Sequence, residues 1–263
     1  MVRQDATYLT TTGIEAHLSC AGLARRCATR IVVMEGQLAM YSIGDLGRRE
    51  LLMMSAALAV SGVAVPAKLA LAETALQRTP DQILGPFYPL SELPQSSDLT
   101  RVSGRSGRAA GQVLNVMGRV LNLVGAPVRN AKVEVWQANS YGRYTHPSDP
   151  NPAPLDPNFE GSAVLTTDSE GRYRFKTIKP VAYPAGPNRM RPAHIHFQVS
   201  GRQDKIATQM YFDGDPHNQT DAFLNSAGDA ARQALLVKKL LDPSPDLEPE
   251  SKTVIFDIVL YQG

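Results

Sequence analysis

The sequence predicts an all-β fold: a β-sandwich with long site-bearing loops and one short C-terminal helix. Beyond Pro80, short segments rich in β-branched and aromatic residues follow one another. Turn-forming residues separate them, as at 168–171, Asp-Ser-Glu-Gly. Many short strands joined by glycine and proline turns are typical of sandwiches and barrels.

Seven segments are predicted to be strands, because each is short, partly alternating and rich in β-branched or aromatic residues. They are residues 113–123, 132–136, 163–167, 172–175, 194–199, 207–212 and 253–260. Residues 229–241 are predicted to form the helix, with Asp229 as its cap and Pro243 as its stop. Residues 141–159 contain five prolines and are expected to be a long ordered loop, where functional sites are often placed.

Composition excludes several classes of protein. The chain has 263 residues with a net charge of +2, so electrostatics give no reason to expect a nucleic-acid or acidic-membrane partner. The only cysteines, Cys20 and Cys27, lie near the N-terminus, which excludes a disulfide framework for the core. A metal in the β-rich body would therefore need oxygen and nitrogen ligands.

Residues 40–72 are interpreted as a twin-arginine signal peptide. Arg48 and Arg49 precede the apolar run 53–66, and Ala70-Leu71-Ala72 resembles a cleavage site. The run is too short for comfortable bilayer crossing, which needs roughly 20 residues. A core helix or an uncleaved membrane anchor are the alternatives.

Cleavage after Ala72 would leave residues 73–263 as one domain, exported to the periplasm or the exterior. The domain would be cytoplasmic if the signal is not used. Residues 1–39 fit no targeting scheme and are interpreted as a mis-assigned extension or a disordered segment, with Met34 or Met40 as the real start.

The sharpest motif is 191–197, Arg-Pro-Ala-His-Ile-His-Phe. On a strand, His194 and His196 point to the same face, within reach of one metal ion. Two imidazoles suit zinc, copper or iron. An isolated H-x-H pair is more often solvated or hydrogen-bonded than metal-binding, and no third histidine, cysteine or obvious carboxylate ligand accompanies this one.

Tyr144 and Tyr183 are the remaining candidate ligands. A lone tyrosine is nearly always structural, and its phenol, with a pKa near 10, is normally protonated. A trivalent cation would stabilise the phenolate. Two phenolates and two neutral imidazoles would favour Fe(III) over Fe(II), and such a centre would activate the organic substrate rather than O2.

Several motifs together resemble the intradiol ring-cleaving dioxygenases, and in particular the iron-binding subunit of protocatechuate 3,4-dioxygenase. The similarity covers roughly residues 80–263. The motifs are 85–89 (GPFYP), 133–139 (VEVWQAN), 142–144 (GRY), 155–159 (LDPNF), 177–180 (TIKP), 191–197 (RPAHIHF) and 256–260 (FDIVL).

The resemblance implies a ferric enzyme that opens a catechol ring between its hydroxyls with O2 to give a cis,cis-muconate. Tyr144, Tyr183, His194 and His196 match the four iron ligands, with Tyr183 as the one displaced by substrate. Arg191 matches an arginine that stabilises carbanion character on the ring. Gln209 matches a pocket residue paired with that arginine.

One departure concerns the substrate. The stretch after Tyr183 is about two residues shorter than in protocatechuate enzymes, and Ala185 stands where they carry a substrate-packing tryptophan. Protocatechuate, catechol and hydroxyquinol therefore remain alternatives. Related enzymes pair with a non-catalytic subunit, and the sequence leaves open a homo-oligomer or such a partner.

Two competing interpretations deserve a test. The segments around Gly118, Gly125 and 167–175 also resemble a transthyretin-like (prealbumin) sandwich, which alone would be a non-catalytic binding module. A zinc hydrolase built on the H-x-H pair would lack a third conventional ligand and a general base. The tyrosines, histidines and Arg191, in family order, favour the dioxygenase.

Overall fold

The computed structural model describes residues 30–34, 37–41 and 75–263. Strands β1 (Arg30–Met34) and β2 (Gln37–Tyr41) pair with each other antiparallel. They belong to a first unit, Met1–Ala72, and the β-rich body belongs to a second, Glu73–Gly263. The predicted signal peptide lies outside the described residues, except for its first two positions at the end of β2.

The second unit contains eleven further strands among its described residues. They are β3 (Val113–Asn122), β4 (Lys132–Trp136), β5 (Ser162–Thr166), β6 (Arg172–Ile178), β7 (Tyr183–Pro184), β8 (Met190–Arg191), β9 (His194–Ser200), β10 (Lys205–Phe212), β11 (Val237–Lys238), β12 (Lys252–Ile255) and β13 (Ile258–Leu260). One sheet has the order β11-β10-β9-β4-β5. In the other, β3 pairs with β6 on one side and with β12 and β13 on the other. Strands β7 and β8 form a separate hairpin.

The inner faces of the two sheets share one hydrophobic core. Phe197 of β9 contacts Phe175 of β6 at a ring-centroid distance of 6.2 Å and Phe256 at 5.0 Å, and all three side chains are almost fully buried. Aromatic side chains of this size contribute much of the apolar area that stabilises a core. The predicted all-β sandwich is confirmed.

The predicted strand 253–260 is two strands, because the chain breaks its ladder at Phe256 and Asp257. The backbone N–H of Phe256 donates to the carbonyl of Met117 (2.9 Å), and the Asp257 carboxylate accepts from the N–H of Arg119 (2.8 Å). Gly118 lies opposite this break. A Cβ there would stand 2.0 Å from the carbonyl oxygen of Phe256, so only glycine fits.

The predicted helix 229–241 is wrong in extent. Within residues 75–263 there are two short α-helices, α1 (Ala222–Asn225) and α2 (Ala230–Ala234). The apolar residues that suggested further helix enter the sheet instead: Leu236 is fully buried, its carbonyl accepts from the N–H of Tyr211 (2.9 Å), and β11 follows. Parallel pairing with β10 outweighs the local helical pattern. No helix among the described residues is long and apolar enough to cross a membrane.

Residues 141–159 form the long loop that was predicted, with neither helix nor strand. Buried polar side chains hold it in place. Asn139 donates to the carbonyl of Pro154 (2.9 Å), and Asn151 donates to that of Gly142 (2.8 Å). Ordered in this way, the loop can fix the position of Tyr144.

Candidate metal centre

His194 and His196 meet at the start of β9. Their Nε2 atoms lie 3.1 Å apart, and each residue is only 2% exposed. The Nδ1 atom of His194 lies 2.7 Å from the carbonyl oxygen of Pro192, which fixes the tautomer with the proton on Nδ1. The lone pair of its Nε2 is therefore directed toward His196, as a metal-binding imidazole requires.

The two predicted tyrosines converge on the same point from different elements. Tyr144 comes from the long loop, and its hydroxyl lies 3.3 Å from Nε2 of His194. Tyr183 begins β7, with its ring edge-on to Tyr144 at a centroid distance of 5.5 Å and 5.6 Å from the ring of His194. The structure thus brings all four predicted ligands together in one buried cluster.

Burial sets the protonation of these groups. Desolvation lowers the pKa of His194 and of His196 well below the ordinary value, so both imidazoles are neutral and can act as ligands. Desolvation also raises the pKa of the Tyr144 phenol well above its ordinary value. Burial raises the pKa of Tyr183 too, with the charge of Arg191 opposing the rise. A phenolate here requires a cation close by.

The donor set suits a hard trivalent metal ion. Within residues 75–263 no group of three or more His, Cys, Asp or Glu side chains is placed to hold a metal. Among the described side chains beside the two imidazoles, the phenol oxygens of Tyr144 and Tyr183 are the donors suited to complete the coordination. The zinc hydrolase interpretation consequently lacks its third ligand in the described part of the chain.

His196 is fixed from both faces. The indole of Trp136 stacks on the imidazole at 4.9 Å with an interplanar angle of 8°. On another side, a Cβ at Gly85 would lie 3.0 Å from Cε1 of His196, and Gly85 has a φ of +82°. Both the close approach and the left-handed backbone favour glycine, which explains the glycine of the GPFYP motif.

Arg191 lies beside this cluster on β8, opposite Tyr183 in the β7–β8 hairpin. It is 4% exposed. Its Nε donates to Asp221 (2.8 Å), and its Nη2 donates to Gln209 (2.7 Å) and to the hydroxyl of Tyr211 (3.2 Å). The predicted pairing of Arg191 with Gln209 is present.

Several residues around the site were missed by the sequence analysis. All are polar side chains, buried or half-buried, that contact a predicted site residue directly or through one neighbouring side chain: Gln82, Tyr88, Glu134, Tyr211 and Asp221. Burial of polar groups is the signal that marks them, and it becomes visible only in three dimensions.

Comparison with known proteins agrees with this geometry. The family model described as "Dioxygenase" matches residues 83–262. The chain is 47% identical over 189 residues to the protocatechuate 3,4-dioxygenase beta chain of Burkholderia cepacia, covering 70% of this chain and 79% of that one. It is 37% identical over 173 residues to catechol 1,2-dioxygenase 2 of Acinetobacter lwoffii, covering 59% and 60% respectively.

A solved structure extends the likeness to the fold. Catechol 1,2-dioxygenase from Acinetobacter sp. ADP1, inhibited by bound mercury, superposes with a TM-score of 0.55 at 27% identity, covering 81% of this chain and 69% of that chain. The chain spans about 60% of the length of the Acinetobacter lwoffii relative. The family match extends over most of the β-rich body. On these matches, the chain belongs to the intradiol ring-cleavage dioxygenases.

Proposed function

We propose that this enzyme uses Fe(III) and O2 to cleave a protocatechuate-like catechol between its two hydroxyls, giving a cis,cis-muconate. The observation that carries the proposal is the convergence of Tyr144, Tyr183, His194 and His196 on one buried point, with Arg191 alongside. A transthyretin-like binding module would need none of these groups to converge.

The chemistry of the donors supports iron in the ferric state. Two phenolates carry negative charge, and the two imidazoles are kept neutral by burial, so the set would partly balance a trivalent charge. Lewis acidity toward the two catechol oxygens is the chemistry that a bound ferric ion would supply. Substrate activation, rather than electron donation to O2, follows from this donor set.

The side chains provide the proton handling and the charge stabilisation. Tyr183 is the more exposed of the two tyrosines, at 6% against 2% for Tyr144. Its phenolate would accept a catechol proton as the substrate binds. Arg191, paired opposite Tyr183, places a permanent positive charge where negative charge develops on the ring. Gln209 holds this guanidinium through its side-chain oxygen.

Protocatechuate is the proposed substrate because the relative with 47% identity is a protocatechuate 3,4-dioxygenase. That relative is a beta chain, which supports a companion subunit for this protein; a homo-oligomer is the alternative. Size-exclusion chromatography of the purified chain, alone and with candidate partners, separates the two. Neither arrangement involves nucleic acid.

Export is proposed from the sequence alone. Arg48 and Arg49, the apolar run 53–66 and the small residues before position 73 together support a twin-arginine signal over residues 40–72. On this proposal the mature enzyme is residues 73–263.

The test of function combines binding with turnover. Purified iron-loaded protein is titrated anaerobically with protocatechuate, catechol, 4-methylcatechol and hydroxyquinol, and O2 is then admitted. We expect a change in visible absorption on binding, followed by one O2 consumed per ring opened. Binding without O2 uptake for every compound would contradict the enzymatic proposal and favour a binding module.

A further inference from the structure

Arg191 is held on several sides by groups that the family motifs do not contain. Besides Gln209, its Nε donates to Oδ2 of Asp221 at 2.8 Å. The face of the guanidinium lies over the ring of Phe223, 4.6 Å from its centroid. The side chains of Arg191 and Asp221 are 5% and 2% exposed. Breaking a buried pair of this kind is strongly destabilising, since loss of either member leaves an uncompensated charge.

Asp221 uses its two oxygens for two different tasks. Oδ1 accepts from the backbone N–H of Leu224 (2.8 Å) and thereby caps α1. Oδ2 accepts from Arg191. The hydroxyl of Tyr211 completes the group, 3.5 Å from Oδ1 of Asp221, and accepts from Nη2 of Arg191 at 3.2 Å. One carboxylate therefore joins the start of α1 to β8.

We propose that Asp221 is a positioning residue for the ring-cleavage reaction: it holds the Arg191 guanidinium in the orientation in which it serves the substrate. The inference rests on the proposed function, because Asp221 acts only through Arg191. The β7–β8 hairpin places Arg191 opposite Tyr183, so Asp221 fixes the orientation of the guanidinium beside the candidate site. Preorganised charge is what makes such a group effective.

The primary variant is Asp221→Asn, which removes the negative charge and keeps a side chain that caps helices well. The matched control is Asp229→Asn. Asp229 is exposed and caps α2 through the N–H of Arg232 (2.9 Å), so it reports the effect of the same substitution at a cap remote from the reaction. Both variants are measured as iron-loaded enzyme.

We expect Asp221→Asn to keep its iron, its colour and its anaerobic Kd for protocatechuate, while kcat falls about 10- to 100-fold, as for outer-shell partners of other sites. Asp229→Asn should retain the wild-type kcat. Wild-type turnover by Asp221→Asn would overturn the proposal. Should Asp221→Asn fail to fold, Asp221→Glu replaces that variant in every measurement. Asp221→Glu keeps the negative charge but shifts its position.

A double-mutant cycle separates positioning from a general structural role. In an Arg191→Ala background, the Asp221 substitution should cause no further loss of kcat, because the group that it positions is gone. A loss that multiplies with that of Arg191→Ala would show that Asp221 acts independently, and the proposal would be wrong.

A readout that needs no catalysis keeps the two proposals separable. Phenylglyoxal labels accessible guanidinium groups, and mass spectrometry locates the labelled arginine. Labelling of Arg191 should be faster in Asp221→Asn than in wild type and unchanged in Asp229→Asn. If the wild-type protein cleaves no catechol, the proposed function fails. The labelling comparison still tests the positioning role of Asp221, because equal labelling of Arg191 in all three proteins would overturn that role.

Discussion

The indole of Trp136 lies parallel to the imidazole of His196, with ring centroids 4.9 Å apart. Trp136 ends β4 and is the cross-strand partner of His196 in β9. On its other side Trp136 meets the ring of Tyr88 edge-on at 5.0 Å. The hydroxyl of Tyr88 donates to Glu134 (3.1 Å). A candidate ligand is thus held by one stacked and one edge-on aromatic contact, and these lead to a buried carboxylate.

Glu134 should contribute pH-dependent stability. Burial opposes its ionisation, but hydrogen bonds from Gln198, Lys132 and Tyr88 outweigh burial and lower the pKa of the Glu134 carboxyl. The unfolded chain then binds more protons than the folded one as pH falls through the lowered pKa, so the free energy of unfolding falls. The stabilisation is present above the ordinary glutamate pKa of about 4.3 and is lost below the folded value.

The pH-dependent contribution of Glu134 to stability is tested with the variant Glu134→Gln, by urea unfolding between pH 7 and pH 3. At pH 7 we expect the variant to be less stable by about 1.5–3 kcal/mol, the range for hydrogen bonds to charged groups. Its stability should then fall less than that of wild type on acidification. Glu160→Gln, at a half-buried position elsewhere, is the control. Parallel pH profiles of wild type and Glu134→Gln would contradict the assignment.

The metal centre should be visible by eye. Phenolate-to-ferric charge transfer absorbs visible light, so the iron-loaded protein should be red-brown. Tyr144→Phe and Tyr183→Phe should each shift the band, because each removes one phenolate, whereas His194→Ala and His196→Ala should lose iron. Absorption spectra and iron content by elemental analysis provide the measurement. A colourless protein with stoichiometric zinc that stays colourless after ferric loading would refute the assignment.

Tyr173→Phe is the matched control for the tyrosine variants. Tyr173 of β6 is equally buried, but its hydroxyl donates to the carbonyl of Phe256, between β12 and β13, and not to a group of the candidate metal centre. Its removal should alter stability and leave the absorption band unchanged.

Arg191 should be dispensable for iron binding and essential for the rate of turnover. Arg191→Ala removes a positive charge beside the substrate, and loss of one well-placed electrostatic stabiliser typically costs about 100- to 1000-fold in kcat. Iron content and colour should stay close to wild type, since Arg191 is not a candidate ligand. Steady-state O2 uptake is the measurement. Undiminished turnover would reduce Arg191 to a structural residue.

The metal-site geometry was accessible from the sequence for a simple reason. Side chains two residues apart on a strand share a face, so His194 and His196 had to point the same way once β9 was identified. Tyr144 and Tyr183 were candidate ligands because the histidine pair lacked other conventional donors, and the resemblance supported them. No local rule joins a loop residue and a hairpin residue to that strand. The structure places both beside the histidines.

What the sequence did not predict depends on tertiary contacts. Residues 235–241 keep a helical apolar spacing, yet parallel pairing of β11 with β10 ends the helix at Ala234. The sequence analysis did not single out Asp221, because its contact with Arg191 forms only after β8 and the segment following β10 are brought together. Pairings between distant segments decide both outcomes, and local patterns do not encode them.

Export should depend on the twin arginines. A reporter fused after residues 40–72 should leave the cytoplasm, and Arg48→Lys with Arg49→Lys should retain it, because the twin-arginine route reads these two side chains. Arg25→Lys with Arg26→Lys, tested in the full-length fusion, is the control pair. Cytoplasmic retention of the native fusion would refute the signal interpretation.

The substrate prediction depends on the turn after Tyr183. Ala185 packs against the cluster of Trp136, Tyr144 and Tyr183, so its small side chain should widen the space beside Tyr183, the ligand proposed to be displaced by substrate. Shape alone discriminates weakly, since one methylene in an apolar pocket is worth about 1–3 kcal/mol. We therefore expect cleavage of more than one catechol. A ring carboxylate would need a cation, and Arg189 supplies one on this turn, where its Nε and Nη2 donate to the carbonyl of Ala185 at 3.2 and 2.8 Å.

Protocatechuate should accordingly be preferred over unsubstituted catechol, and Arg189→Gln should lower kcat/KM for protocatechuate more than for catechol. Arg202→Gln, an exposed arginine in the β9–β10 turn, is the control and should change neither value. The measurement is kcat/KM for protocatechuate, catechol, 4-methylcatechol and hydroxyquinol with all three proteins. Selectivity in enzymes is a ratio of kcat/KM values, so a wild-type preference of more than about tenfold for unsubstituted catechol would overturn the ranking and leave the ferric mechanism standing.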